Sequence, residues 1–291
     1  MPIPESQLER WSRQGAAVTA KQTHEYIRAA LEAHDWPIEV QYGVYLQGSY
    51  KNNTNIRGDS DVDVVVQLNS TFLDNLWQDQ ARRFGFEDAS YGWQEFRSDV
   101  LRGLRNYYGW ESVREGRKSL KVRTPHLPAD VVVCLQYRKY PAHARDVDNY
   151  VEGMTFYVPS ENRWVVNYPK IHYDNGVTKN SPSSTNGWYK PTVRLFKNAR
   201  TYVADRGGIS ADLAPSYFLE CLLYNVPNEK FGSDFQSTFC NAINWLLKAD
   251  FSQFVCQNEQ LRLFGNSPEQ WSEDKARRFL EAMVDLWKNW R

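Results

Sequence analysis

The chain has 291 residues, 42% of them hydrophobic, and its thirty-five lysines and arginines are balanced by thirty-five aspartates and glutamates. That length holds one large domain or two lobes around an ordinary core. A net charge of +0 argues against the long-range field that draws in a duplex or a tRNA by counterion release, though a local basic cleft for triphosphates is compatible with it. The opening MPIPESQLERW has no basic-then-apolar pattern, and no run approaches the roughly 18 apolar residues of a membrane span. A cytoplasmic protein away from membranes is expected. Cys134, Cys221, Cys240 and Cys256 stand singly in apolar segments, which suits free thiols better than zinc ligands or disulfides.

In chain order, residues 5–14 and 19–33 carry apolar positions at helical intervals, with Ile27, Ala30 and Leu31 on one face. Residues 39–46 form a strand pattern ending at Gly48-Ser49, and 61–68 (DVDVVVQL) have the β-branched density of a sheet strand. Helices are expected over 70–85 and 92–108, strands over 118–122 and 129–137, and a hairpin over 154–158 and 164–167. Beyond Asn167 the period becomes helical, over 187–205, 215–225, 234–250 and 272–289, punctuated by Gly207-Gly208, Pro227 and Gly265. Tryptophans 245, 271, 287 and 290 recur in this half, where core packing explains them. The expected class is α+β: a mixed-sheet lobe over 1–165 that includes the N-terminal helix, an α-helical lobe over 166–291, and a ligand cleft between them.

Alternation along residues 61–67 places Asp61, Asp63 and Val65 on one strand face and Val62, Val64 and Val66 on the other. Two carboxylates spaced this way repel each other unless a cation joins them, and Mg²⁺ takes one or two such ligands together with phosphate oxygens and water. A bare Asp-x-Asp is more often a solvated strand face. Here its context favours chemistry. Gly48-Ser49 precedes it after a strand, where glycine lets the backbone approach phosphates and serine adds a hydroxyl, and a third acid, Asp130, opens another β-branched strand. Asp59, beside the strand-breaking Gly58, reads as a turn residue and not a ligand.

QGSYKNNTNIRGDSDVDVVV (47–66) followed by ADVVV (129–133) resembles the signature of the polymerase-β-like nucleotidyltransferases. The SDVDVVV, ADVVVCLQYRKY and PSYFLECLLYNVP segments are most similar to the bacterial cyclic GMP-AMP-synthase and DncV-like enzymes of antiphage defence. The resemblance implies two Mg²⁺ ions, with Mn²⁺ as a substitute, held by Asp61, Asp63 and Asp130, the last also receiving the proton of the attacking hydroxyl. It implies Gly48, Ser49, Lys197 and Ser216 on the donor's phosphates. It also implies Tyr217 stacked on a nucleobase, against a core role for that ring. Asn167 is balanced between reading a base edge, which would make uridine a substrate, and closing a strand-to-helix turn.

The implied activity is synthesis of a cyclic dinucleotide or short cyclic oligonucleotide from ATP and UTP or GTP, acting on a downstream effector. A monomer without an extended nucleic-acid surface is expected. A transferase acting on tRNA, a protein or a small molecule shares the same metal site, and a catalytically inactive nucleotide-binding protein shares the fold.

Overall fold

The computed structural model describes residues 1–15, 18–57, 61–210 and 212–290, arranged as two compact units. One comprises Met1–Ala16, Lys51–Asp59 and Lys170–Arg291; the other comprises Ala17–Tyr50 and Ser60–Pro169. The division is therefore not a single cut near residue 165. Helix α1 (Glu5–Ser12) folds with the C-terminal helices, as does the segment after Tyr50. Asp59 and its turn lie outside the described residues.

The sheet unit holds α2 (Val18–Glu32), β1 (Tyr42–Leu46), the start of α3 (Gly48–Asn52), β2 (Val62–Asp74), α4 (Gln78–Arg83), α5 (Trp93–Tyr108), β3 (Val113–Glu115), β4 (Leu120–Val122), β5 (Ala129–Lys139), β6 (Val151–Val158) and β7 (Arg163–Asn167). The strands form one mixed sheet in the order β1-β2-β5-β4-β3, with β6 pairing with the far half of β5 and with β7. Among the paired strands of the described residues, β2 and β5 run parallel and the other pairs antiparallel. The alternation of β2 and β5 sorts their side chains. Val62, Val64, Val66, Val131 and Val133 meet Ile27 and Leu31 of α2 and Phe96, Val100 and Leu104 of α5. On the other face Val65, Val132 and Cys134 meet Met154, Phe156 and Val165. Each such side chain taken from water contributes about 1.5–3 kcal/mol, so a one-residue slip would expose a whole row of valines.

The expected helix over 70–85 is only partly present: β2 continues to Asp74, and α4 spans six residues. Thr71, Phe72 and Leu73 favour a strand, and Phe72 to Asp74 pair with Gln136 to Arg138 after a register shift past Leu68. That irregularity interrupts the two-residue alternation and hides the strand's continuation. The three-residue β3 was too short to announce itself. The expected hairpin forms, with Met154 paired to Asn167 and Val158 to Arg163 across a turn in which Asn162 takes a left-handed conformation (φ 50°).

The helical unit contains α1, α6 (Pro169–Lys179), α7 (Tyr189–Ala204), α8 (Ser216–Tyr224), α9 (Phe235–Leu246) and α10 (Glu273–Lys288). Its core joins Leu8, Val193, Phe196, Phe218, Leu222, Phe239 and Phe279, and Trp245, Trp271, Trp287 and Trp290 pack against it. Helix α6, which begins with a proline suited to a first turn, adds an element absent from the sequence reading. All four cysteines are free. Among the described residues no helix is long and apolar enough to cross a membrane.

Two carboxylates cap the start of α9, and one of them, Glu5, ties α1 to it. Asp234 caps α9 by accepting from the Ser237 N–H at 2.6 Å, and Glu5 accepts from the N–H groups of Phe235 at 2.7 Å and Gln236 at 2.8 Å. A helix N-terminus leaves these donors free and favours negative charge. Glu5→Ala should therefore lower stability by about 1–3 kcal/mol, measured by urea denaturation, whereas replacing the exposed Glu9 should change it by less than about 0.5 kcal/mol.

Candidate active site

The pairing of β2 with β5 brings two of the three acids together. Asp63 and Asp130 are direct partners in the parallel register, so their side chains leave the same face of the sheet one strand spacing apart, about 4.8 Å. Asp61, two residues earlier on β2's approach, shares that face. Past the acids the same face turns apolar at Val65 and Val132, so the carboxylates occupy the polar end of a buried sheet. Asp130 is mostly shielded, its side chain 21% exposed, while that of Asp61 is 46% exposed.

Gly48 approaches these acids from the β1 side. It takes a left-handed conformation (φ +66°), and a Cβ built on it would stand 2.0 Å from Asp63 Oδ2. No residue but glycine fits there without moving the carboxylate, which explains the glycine beyond its freedom to turn. The Gln47 N–H donates to the Asp63 carbonyl at 3.0 Å, tying the Gly48-Ser49 corner to the acid-bearing strand.

A cation that sequence reasoning passed over completes the cluster. Lys121 on β4 is the register partner of Asp130; its ammonium donates to Asp130 Oδ2 at 2.6 Å and lies 4.0 Å from Asp61 Oδ2. The Asp130 hydrogen bond, opposed by partial burial and aided by the charges of all three acids, raises the Lys121 pKa. Only the register of the short β4 reveals this contact, and LKV carries no motif.

The second oxygen, Asp130 Oδ1, is buried and has no hydrogen-bond partner among the described residues. Adjacent carboxylates with one unpartnered buried oxygen and an ammonium drawn between them form a donor set suited to a hard divalent cation. Among the described residues no three acidic, imidazole or thiol groups already converge into a metal cage.

The remaining expected site residues divide between the units. Asn167 ends β7 opposite Met154, and its carboxamide makes no hydrogen bond among the described residues. Gly153 stands nearby because a Cβ there would strike the Tyr168 ring at 2.9 Å and the Asn167 carbonyl at 3.0 Å. Ser216 is the first residue of α8, after Pro215.

Tyr217 is 46% exposed. One side of its ring stacks on His172 at 5.2 Å and 23°, and its hydroxyl accepts from Asn258 at 3.3 Å. The phenol is thus anchored inward while part of the ring stays open to a planar partner.

Lys197 is placed differently from the expectation. It is fully buried, and its ammonium donates to the Thr54 carbonyl at 2.8 Å, so in this structure it serves the interior of the helical unit. It belongs to a buried network centred on Glu220. That carboxylate accepts from Thr54 Oγ1 at 2.6 Å and Asn52 Nδ2 at 3.1 Å, and lies 3.1 Å from His172 Nε2. Burial pushes the Glu220 carboxyl up, but His172, Lys197 and the Thr54 hydroxyl outweigh it and hold it below its ordinary value. The ion fixes His172, and His172 supports Tyr217.

Sequence reasoning also missed Lys190, one helical face along α7 from Lys197. With Lys51 it brackets the Tyr173 ring, at 5.3 and 4.4 Å from the centroid. Burial, with Arg194 and Lys51 adding to it, pushes the Lys190 ammonium down.

The Gly48 contact yields a direct test. Gly48→Ala should reduce kcat about 100-fold, since displacement of a reacting group by about 1 Å costs that much, while circular dichroism stays unchanged and stability falls by only about 1 kcal/mol.

A family model for the nucleotidyltransferase domain matches residues 27–124, and one for the cGAS/DncV-like nucleotidyltransferase C-terminal helical domain matches residues 174–288. The chain is 67% identical over 290 residues to the cyclic UMP-AMP synthase of Rhodothermus marinus, covering 100% of this chain and 99% of the relative. It is 40% identical to the cyclic nucleotide synthase CdnE01 of Staphylococcus haemolyticus, covering 100% of both. The solved structure of the R. marinus CdnE c-UMP-AMP synthase with Apcpp and Upnpp superposes with a TM-score of 0.96 at 66% identity, covering 99% of this chain and 98% of that one. With its acids brought together by the β2–β5 register and both family domains matched, the chain belongs to the cGAS/DncV-like nucleotidyltransferases.

Proposed function

We propose that this enzyme joins one uridine and one adenosine nucleotide, from UTP and ATP, into a cyclic dinucleotide. The observation that carries the reading is the in-register Asp63–Asp130 pair beside Gly48, in a chain 67% identical to a cyclic UMP-AMP synthase. A ribose hydroxyl of one nucleotide attacks the α-phosphorus of the other; the new P–O ester forms as the bond to pyrophosphate breaks. A second, intramolecular transfer closes the ring and releases a second pyrophosphate.

Two Mg²⁺ ions, or Mn²⁺, bound by Asp61, Asp63 and Asp130 would supply hydroxyl activation and neutralise charge on the departing pyrophosphate. Asp130 Oδ1, without a hydrogen-bond partner among the described residues, orients the attacking hydroxyl and receives its proton. Ser49 and Ser216 offer hydroxyls to donor phosphates, and the Gly48 backbone admits a phosphate that a side chain would exclude. The open part of the Tyr217 ring stacks on a base, a contact worth about 1–3 kcal/mol. Asn167 reads a pyrimidine edge through its uncommitted amide, which both donates and accepts. The product acts on a downstream effector that senses it in antiphage defence, and the enzyme works as a cytoplasmic monomer.

Incubation with all four NTPs and Mg²⁺, followed by phosphatase and mass spectrometry, should leave a phosphatase-resistant cyclic uridine–adenosine dinucleotide. Asp61→Asn/Asp63→Asn should abolish it. A product attached to tRNA, protein or a small molecule, or a double variant with undiminished function, would overturn the synthase reading in favour of a different transferase or a binding protein.

Base selection has its own measurement. Asn167→Ser should lower the UTP preference at least tenfold relative to a purine triphosphate, as judged by kcat/KM with each substrate; an unchanged ratio removes Asn167 from specificity.

A further inference from the structure

Helix α3 is where the chain passes from one unit to the other: Gly48, Ser49 and Tyr50 belong with the sheet, Lys51 and Asn52 with the helices. Its first residue stands against the Asp63 carboxylate. Its last residue and the two that follow are clamped by the helical unit. Asn52 Nδ2 and Thr54 Oγ1 donate to the two carboxylate oxygens of Glu220, Arg194 donates to the Asn53 carbonyl, and Lys197 donates to the Thr54 carbonyl at 2.8 Å. Asn52, Thr54, Lys197 and Glu220 are all buried.

The same carboxylate holds the group behind the Tyr217 ring. Glu220 Oε2 accepts from both Asn52 Nδ2 and His172 Nε2, each at 3.1 Å. The other imidazole nitrogen, Nδ1, is buried with no hydrogen-bond partner among the described residues, so the bond to Glu220 is what orients the ring. That ring lies against Tyr217 at 5.2 Å and 23°. One oxygen atom therefore carries a residue of α3 on one lone pair and the support of Tyr217 on the other.

We propose that Glu220 is a positioning residue that couples two contacts of the nucleotide. Through Asn52 and Thr54 it sets α3 and the Gly48-Ser49 corner that receives phosphates, and through His172 it sets the Tyr217 ring that receives a base. The inference rests on the nucleotidyl-transfer reading and goes beyond it by making the two contacts interdependent. Gly48 and Asn52 are about 6 Å apart along one short helix tied at both ends, so a shift of Asn52 moves the phosphate corner. A buried carboxylate that loses one partner is left under-bonded, and its remaining partners close on it. A close-packed interior transmits that shift, and a displacement of about 1 Å at a reacting group lowers the rate about 100-fold.

The test substitutes a residue on one side of Glu220 and reads a ligand that touches only the other, by calorimetry on the intact protein with Mg²⁺. Tripolyphosphate has no base to stack, and adenosine and uridine have no phosphates. His172→Phe keeps a ring behind Tyr217 and removes the bond to Glu220; it should weaken tripolyphosphate by about fivefold or more, the size of coupling found between residues of one hydrogen-bond network. His172→Gln keeps a bond to Glu220 and removes the ring; tripolyphosphate binding should return to within about twofold of wild type while nucleoside binding stays weak. Asn52→Ala should weaken the nucleosides by about fivefold or more. Glu220→Gln, of the same shape with one acceptor oxygen lost, should weaken both classes of ligand together, with circular dichroism unchanged.

Losses confined to the ligand at the substituted side overturn the proposal, as does a Glu220→Gln protein that binds both classes like wild type, or a His172→Gln protein as weak for tripolyphosphate as His172→Phe. If His172→Phe does not fold, Asn52→Ala and Glu220→Gln decide between the same outcomes. A wild type that makes no cyclic product yet shows the crossed losses in its variants overturns the synthase reading and keeps the coupling.

Discussion

The parallel pairing of β2 and β5 is the constraint on which the rest depends. It sets Asp63 directly beside Asp130, an arrangement that costs free energy in an unliganded sheet because like charges face each other at close range. The same pairing buries Val62, Val64 and Val66 against α2 and α5 and Val65 against β6 and β7. Hydrophobic burial on both faces thereby holds the carboxylates where electrostatics alone would separate them. Sliding one strand by a residue would expose the valines and scatter the acids together, so stability and site geometry share one register.

The cost of gathering acids is offset locally. Lys121 takes up Asp130 and reaches toward Asp61, while Asp130 Oδ1 stays buried with no hydrogen-bond partner among the described residues. Few buried polar atoms in a native protein lack a partner, and those that do commonly mark a site awaiting a ligand or an ion. Gly48 obeys the same geometry from the other flank: its missing side chain is the space occupied by the Asp63 carboxylate.

The helical unit solves a related problem with a different device. Glu220 is buried, and its charge is retained because His172, Thr54, Asn52 and Lys197 surround it. A buried carboxylate is tolerated only when its hydrogen bonds are complete. Lys197 therefore has work in the interior, and the supported ring of Tyr217 is the group this network presents outward.

Strand and helix identities from 92 onward were largely legible, because DVDVVV, ADVVV and the helical repeats beyond Asn167 bury their apolar residues at the periods they display. The Asp-x-Asp spacing likewise placed Asp61 and Asp63 on one face before any fold was known. The sequence could not show that β2 runs through its irregularity to Asp74, or that α1 joins the C-terminal helices through Glu5 at the start of α9. Nor could it show that Lys121 belongs with Asp130 or that Lys197 points inward. Alternation and helical period are local properties of neighbouring residues, so by itself the sequence determined the elements, their buried faces and the three acids. Which acid meets which cation depends on strand order and packing between residues far apart in the chain, and only the tertiary structure decided that.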